Sequence, residues 1–300
     1  MNTNLSTLNP VSYKLFDKII NIALIHDDGS SDRIICPATG RKPTIRLKGT
    51  LYSQTDLLQI ELRLTNLYVP QPLSVYKSIR VTAGYSGGLQ YAFTGSIHLA
   101  FQELPGPDGV TVFQLLLGNL ATWRETFVST VYFAGQQLRD VLSELAVEMG
   151  LTLTYDADAG LALPVDVPWN SYAKDLISHL KDLFSRYDPQ TGVKTGIEIC
   201  PIGDKLICYA GNKGRAGQTI WKPDFISHAR SQASGFEIQG PWIPQLLPGD
   251  LIYVDPKFFK QDFGGAAVGH GNTFVVYLID FDFGTTDDTN SMSLMTLGAA

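Results

Sequence analysis

Through residues 1–120 the chain alternates apolar and polar side chains with period two. Leu58, Ile60, Leu62 and Leu64 alternate with Gln59, Glu61 and Arg63, and Ile79, Val81 and Ala83 with Arg80 and Thr82. The longest run is Leu89, Tyr91, Phe93, Gly95, Ile97, Leu99 and Phe101, separated by the small or polar Gln90, Ala92, Thr94, Ser96, His98, Ala100 and Gln102. Such alternation predicts half-buried strands with one wet face. Gly95, interrupting an apolar face, predicts a bulge or bend, or a place where another backbone comes close. Val110 to Leu117 reads as a further strand after the turn Pro105-Gly106-Pro107-Asp108-Gly109. Asp27-Asp28-Gly29-Ser30 and Pro37-Ala38-Thr39-Gly40 are also turn-like. Short strands separated by Gly, Pro and Asp turns predict a sandwich or small barrel.

The period then changes. Leu138, Val141, Leu142, Leu145 and Met149 fall on one face of a helix, and Gly150 follows as its stop. A second helix is expected from about Ser171 to Tyr187, with Tyr172, Leu176, Leu180, Leu183, Phe184 and Tyr187 on its apolar face and Asp188-Pro189 ending it. Phe127 to Phe133 reads as a strand before the first helix, and Gly196 to Ala210 as a hairpin after the second. Gly211 to Gly217, with Lys213 and Arg215, reads as a polar, solvated linker. From residue 221 the pattern returns to strands: Phe236 to Gln239, Leu251 to Val254, Thr273 to Phe283 and Met292 to Leu297. The chain therefore divides into a β region at 1–120, an α+β module with two helices at 121–220 and a second β region at 221–300.

Charged residues make up only 17% of the 300, which fits a surface extensively covered by other chains or simply a neutral one. A net charge of -6 disfavours a nucleic-acid-binding surface, which would be basic. Met1 to Pro10 carries neither the basic region nor the apolar core of a signal peptide, and no run is long enough to span a bilayer. The expectation is a chain without a membrane anchor, made and kept in the cytoplasm unless carried out inside an assembly. Three cysteines, Cys36, Cys200 and Cys208, without a signal point to reduced thiols. If Gly203-Asp204 form a two-residue turn, Cys200 pairs with Ile207 and Cys208 lies on the opposite face; a three-residue loop would put the cysteines opposite each other.

No catalytic constellation emerges. His26-Asp27-Asp28 sits on a turn without a matching ligand cluster, and His98, His179, His228 and His270 have no nucleophile at a recognisable spacing. The stretch Gly211 to Gly217 lacks phosphate-loop spacing. Trp123, Trp169, Trp221 and Trp242 could stack on sugars if exposed, or anchor cores if not. Neither a cofactor nor a metal is implied, and the chain is not expected to be an enzyme.

One family resemblance runs from Arg41 to Leu297. Its elements are Arg41-Lys42-Pro43-Thr44-Ile45, Ile60 to Leu67, Ile79 to Tyr85, Phe93 to Ile97, Val131 to Leu138 leading to Gly150-Leu151, Phe236 to Gln239, the turn Pro248-Gly249-Asp250, Phe274 to Leu278 and Ser293 to Leu297. Taken in order, these resemble the baseplate hub proteins of contractile phage tails and related injection machines. The resemblance implies a mainly β fold, with two tube-like β-barrel domains flanking a small α+β module. It implies a homotrimer whose six barrels form a pseudo-sixfold ring between the tail tube protein and the central spike protein, beside other baseplate proteins. DNA would meet it only in transit. Its place would be the virion tail baseplate, assembled in the host cytoplasm. The alternative is a carbohydrate-binding or cell-wall-degrading tail component.

The stretch before Arg41 has no counterpart in that resemblance, and neither does the length of Asp255 to Asn272. That stretch carries Gly264, Gly265, Gly269 and Gly271, and long connections of this kind are commonly functional. Phe258, Phe259 and Phe263 within it are poorly suited to permanent solvent exposure, and clustered apolar side chains mark contacts. They are the expected assembly interface.

Overall fold

The computed structural model describes residues 8–11, 18–35, 44–52, 59–65, 72–85, 90–103, 110–117, 125–187, 194–202, 204–211, 213–215, 220–223, 226, 228–232, 235–255, 273–285 and 290–298. The first β region comprises β1 (Leu8–Val11), β2 (Lys18–His26), β3 (Ser31–Ile35), β4 (Thr44–Tyr52), β5 (Gln59–Thr65), β6 (Tyr76–Tyr85), β7 (Gln90–Gln102) and β8 (Val110–Leu117). The module contains β9 (Phe127–Tyr132), α1 (Leu138–Glu148), β10 (Thr152–Asp156), β11 (Val167–Tyr172), α2 (Ala173–Leu183), β12 (Arg186–Tyr187), β13 (Lys194–Thr195), β14 (Ile197–Ile202) and β15 (Lys205–Ala210). The chain continues through β16 (Ile220–Pro223), β17 (His228–Gln232), β18 (Gly235–Gly240), β19 (Leu251–Tyr253), β20 (Thr273–Gly284) and β21 (Asn290–Gly298). The fold is mainly β with a small α+β insert.

Both β regions belong to one sheet. Its strands run β1-β16-β19-β20-β4-β5-β8-β7-β6-β2-β3, with β21, β18 and β17 branching from β20. The long strand β20 makes the join. Its first residues pair with β19 and its second half, Leu278 to Gly284, pairs antiparallel with β4. Side chains follow the pleat. Ile45, Leu47 and Leu51 of β4 are buried, whereas Lys48 and Thr50 are exposed and Arg46 pairs with Asp282 across the seam. A single core results. It gathers Ile20, Ile79, Phe113 and Leu115 from the first region with Trp242, Ile252, Phe274 and Phe283 from the last. Trp242 stacks on Phe281 at 4.9 Å, Phe283 meets Tyr85 edge-on at 5.6 Å, and the Tyr85 hydroxyl lies 2.8 Å from Asn290 Oδ1. Trp221 and Trp242 are both buried, as core anchors are.

Two bulges break the period the sequence suggested. In β20 the register shifts between Val276 and Leu278, so the buried set passes from Phe274 and Val276 to Ile279, Phe281 and Phe283. In β7 it shifts between Ile97 and Leu99. Ala100 then packs on the core, while Leu99, expected on the apolar face, is 47% exposed. Gly95 is not the bulge. It lies opposite Leu117 in β8, and a Cβ there would stand 2.9 Å from Leu115 Cβ, so the glycine serves a close approach.

The module has a core of its own. Val128, Tyr132 and Val167 of the β9–β11 sheet pack with the α1 and α2 faces and with Ile197, Ile199, Leu206 and Cys208 of the β10-β15-β14 sheet. Helix α1 buries Leu138, Val141, Leu142 and Leu145, followed by Met149, and Gly150 takes φ +64° just past its end, as anticipated. Helix α2 is shorter than expected. It begins at Ala173 and buries Ala173, Leu176, Ile177 and Leu180; Tyr172 ends β11 and is exposed, and Tyr187 lies in β12. Once the backbone of Val167 to Tyr172 pairs with β9, the helix can start only after that ladder ends.

Candidate assembly surface

The turn Pro248-Gly249-Asp250 joins the module to the main sheet. Gly249 has φ +88°, and a Cβ there would lie 2.8 Å from the Tyr209 ring and 2.9 Å from Arg215 Cγ. The Gly249 amide donates to the Val276 carbonyl at 2.7 Å, and the Gly249 carbonyl accepts from the Arg215 amide at 2.9 Å. The Asp250 carboxylate is buried; it receives the Arg215 guanidinium and the Leu247 amide at 2.8 Å, with the Trp221 side chain as a further donor. Burial pushes that carboxyl above its ordinary value in spite of Arg215. Arg215 is therefore no part of a solvated linker: a half-buried ion pair clamps it to the last β region.

A second feature lies on the module's outside. Strands β9 and β11 pair antiparallel, with Phe127 opposite Tyr172, Ser129 opposite Asn170 and Val131 opposite Pro168. These six residues share one face and all are exposed; Phe127 is 55% exposed, Val131 48% and the adjoining Phe133 64%. The Phe127 and Tyr172 rings meet edge-on at 5.9 Å. A shallow trough of about 410 Å³ is lined by Ser129, Thr130, Val131, Pro168, Trp169 and Asn170. The opposite face carries Val128, Tyr132, Val167 and Trp169 against the helices, and Trp169 stacks on His179 at 5.5 Å.

The expected interface residues Phe258, Phe259 and Phe263 lie outside the described residues, as do Cys36, Trp123 and His270. Cys200 pairs with Ile207 and Cys208 with Ile199, the register of a two-residue turn, so the thiols face opposite ways and both are free. Burial pushes the Cys200 thiol up to about 12 and Cys208 also upward, which keeps both protonated and inert. His26 lies 3.1 Å from Asp32, which also accepts from the Tyr76 hydroxyl at 2.9 Å. Among the described residues, no group of three or more His, Cys, Asp or Glu is gathered as for a metal. None of their helices is long and apolar enough to cross a membrane. The sequence reading missed both the clamp and the β9–β11 face. The clamp joins residues far apart in sequence; the face could have been suspected from Phe127, Val131 and Phe133 alternating with Val128 and Tyr132.

No protein-family model matches the sequence, and a search of curated proteins by sequence gave no match. Solved structures do match. The 43 kDa tail protein of prophage MuSo2 from Shewanella oneidensis superposes with a TM-score of 0.57 at 11% identity, over 93% of this chain and 98% of that one. A tail protein from Neisseria meningitidis MC58 gives 0.58 at 9% identity, over 94% and 97%. The chain has the fold of phage tail proteins. The E. coli c3393 protein, a type VI secretion component described as structurally similar to the T4 tail proteins gp27 and gp5, gives 0.52 at 11% identity, over 86% and 74%.

Proposed function

We propose that this chain is a structural, non-enzymatic baseplate hub of a contractile phage tail. Three copies form a pseudo-sixfold ring that joins the tail tube to the central spike and lets DNA pass. The observation that carries this reading is end-to-end likeness to two tail proteins, each covered almost completely. The architecture supports it. Each chain contributes two β regions to one continuous sheet, so a trimer presents six tube-like units to a sixfold tube. The small charged fraction suits a subunit with much surface covered, and the net charge of -6 suits a passage to which DNA does not stick. The partners are further copies, the tube and spike proteins and other baseplate proteins, and the place is the virion tail, assembled in the host cytoplasm. The burial of Trp221 and Trp242 weighs against the sugar-binding alternative, because neither ring offers a stacking platform.

Light scattering of the purified chain, alone and with its tube or spike protein, together with electron micrographs of negatively stained particles, tests this. The expected result is a trimer with a central hole, alone or once a partner is added. A monomer under both conditions overturns the reading.

A further inference from the structure

We infer that the Arg215–Asp250 pair is an orientation latch: it fixes the angle at which the module stands on the β regions, and once it is undone the module turns while both bodies stay folded. The inference concerns the single chain and stands apart from the hub reading. The β14–β15 hairpin has two apolar faces. Ile197, Ile199, Leu206 and Cys208 point into the module's core. Cys200, Ile207 and Tyr209 lie on the other face and form a third cluster that belongs to neither large core. That face meets the turn at Gly249, whose missing side chain leaves the Tyr209 ring against bare backbone. Apolar contact of this kind is non-directional. A ring seated on a glycine resists separation but gives little resistance to rotation.

Directional contacts cross the joint at Arg215. Its amide donates to the Gly249 carbonyl at 2.9 Å, and its guanidinium pairs with the Asp250 carboxylate. Each end of the latch is rigid on its own side. The Ala210 carbonyl accepts from the Lys213 and Gly214 amides at 2.9 and 3.0 Å, and Gly214 takes φ +71°, so the chain leaving β15 folds into a tight turn that carries Arg215 with the module. Asp250 is fixed to the last β region. Its carbonyl accepts from the Val276 amide at 2.9 Å, and its carboxylate accepts from the Leu247 amide at 2.8 Å. Asp250 and Arg215 side chains are only 4% and 20% exposed, and Arg215 Nε is buried without a hydrogen-bond partner among the described residues. Burial outweighs Arg215 in its effect on the Asp250 carboxyl. A desolvated, incompletely satisfied pair adds little net stability over uncharged side chains, while its geometry still selects one arrangement.

The test reads the angle directly. Spin labels are placed on Ser143→Cys in α1 and Thr94→Cys in β7, both exposed positions, in a Cys36→Ser background where Cys200 and Cys208 remain buried. The labelled chain is diluted with unlabelled chain, so that distances within one copy are measured. The parent is expected to give one narrow distance distribution. Asp250→Asn/Arg215→Met removes both charges and keeps an acceptor for the Leu247 amide. It is expected to lose the single narrow peak, while amides of Leu138–Glu148 and Leu278–Gly284 stay as protected from exchange as in the parent. Arg46→Met/Asp282→Asn removes a similar pair inside the β regions and is expected to leave the peak unchanged. A narrow peak retained in Asp250→Asn/Arg215→Met overturns the inference, and so does equal broadening in Arg46→Met/Asp282→Asn. Lost protection or failure to fold in Asp250→Asn/Arg215→Met overturns it too, because the pair would then hold the fold together instead of setting an angle.

Discussion

Glycines 95 and 249 look alike in the sequence, each two residues from apolar side chains on both sides (Phe93 and Ile97, Leu247 and Leu251), but they answer different demands. Gly95 keeps ordinary strand geometry and is required because Leu115 of the adjacent strand comes too near for a Cβ. Gly95→Val is expected to lower stability by about 1–3 kcal/mol, the range for overpacking a full core, seen as a reduced melting temperature; an unchanged value would show that Leu115 moves aside freely. Gly249 needs both its positive φ and its missing Cβ, since Tyr209 and Arg215 occupy that space. The sequence showed that Gly95 was special but not why, because the neighbour that excludes a Cβ lies on another strand. Individual hydroxyls carry a pH prediction. Burial is the main cause raising Tyr85, Tyr132 and Tyr155 from an ordinary 10.0 to about 12. Between those values the unfolded chain releases protons that the folded chain retains, so stability falls as pH rises from 10.0 towards 12. Melting temperatures across that range should decline, and Tyr85→Phe should flatten the decline; an equally steep slope in the variant would mean that Tyr85 ionises as freely folded as unfolded.

Strands and helices were legible wherever local pattern decides them. The face of α1 follows from spacing alone, and Gly150 stops the helix as a residue tolerant of positive φ does. Elements went astray where a neighbour decides. The ladder between β9 and β11 takes Tyr172 from the helix, and the bulges of β7 and β20 shift their apolar sets by one residue, which no count of alternation reveals in advance. The clamp between Arg215 and Asp250 is the clearest case, because a buried carboxylate on a loop turn reads in sequence as solvated charge. Replacing Asp250 by alanine leaves the guanidinium facing a desolvated gap and should destabilise the protein by about 3 kcal/mol. Asp250→Ala/Arg215→Met, which removes both charges, should recover part of that loss. Denaturant titration of the single and double variants measures the difference, and equal losses in the two would show that the pair contributes through packing alone.

On the scale of the whole molecule, the sequence showed two β regions around an insert, and the structure adds how unequally the three are connected. The two β regions share strand pairing between β4 and β20 and one core, so neither can open without disrupting the other. The module's core, from Val128 to Cys208, has no residue in common with it. Among the described residues they meet through the Tyr209–Gly249 contact, the Arg215–Asp250 clamp and the backbone bonds about that turn. Cooperative unfolding extends only as far as strong contacts do. The expected calorimetric trace therefore contains two transitions, one for the module and one for the joined β regions. Asp250→Ala should separate them further by loosening the joint. Hydrogen exchange assigns them: amides of Leu138–Glu148 and of Leu278–Gly284 should become exchangeable at different temperatures. A single transition, with both sets of amides released together, would show that the joint couples the two cores as tightly as a shared one. In the proposed hub, two separately stable bodies would let the module shift against a partner while the joined β regions hold their shape.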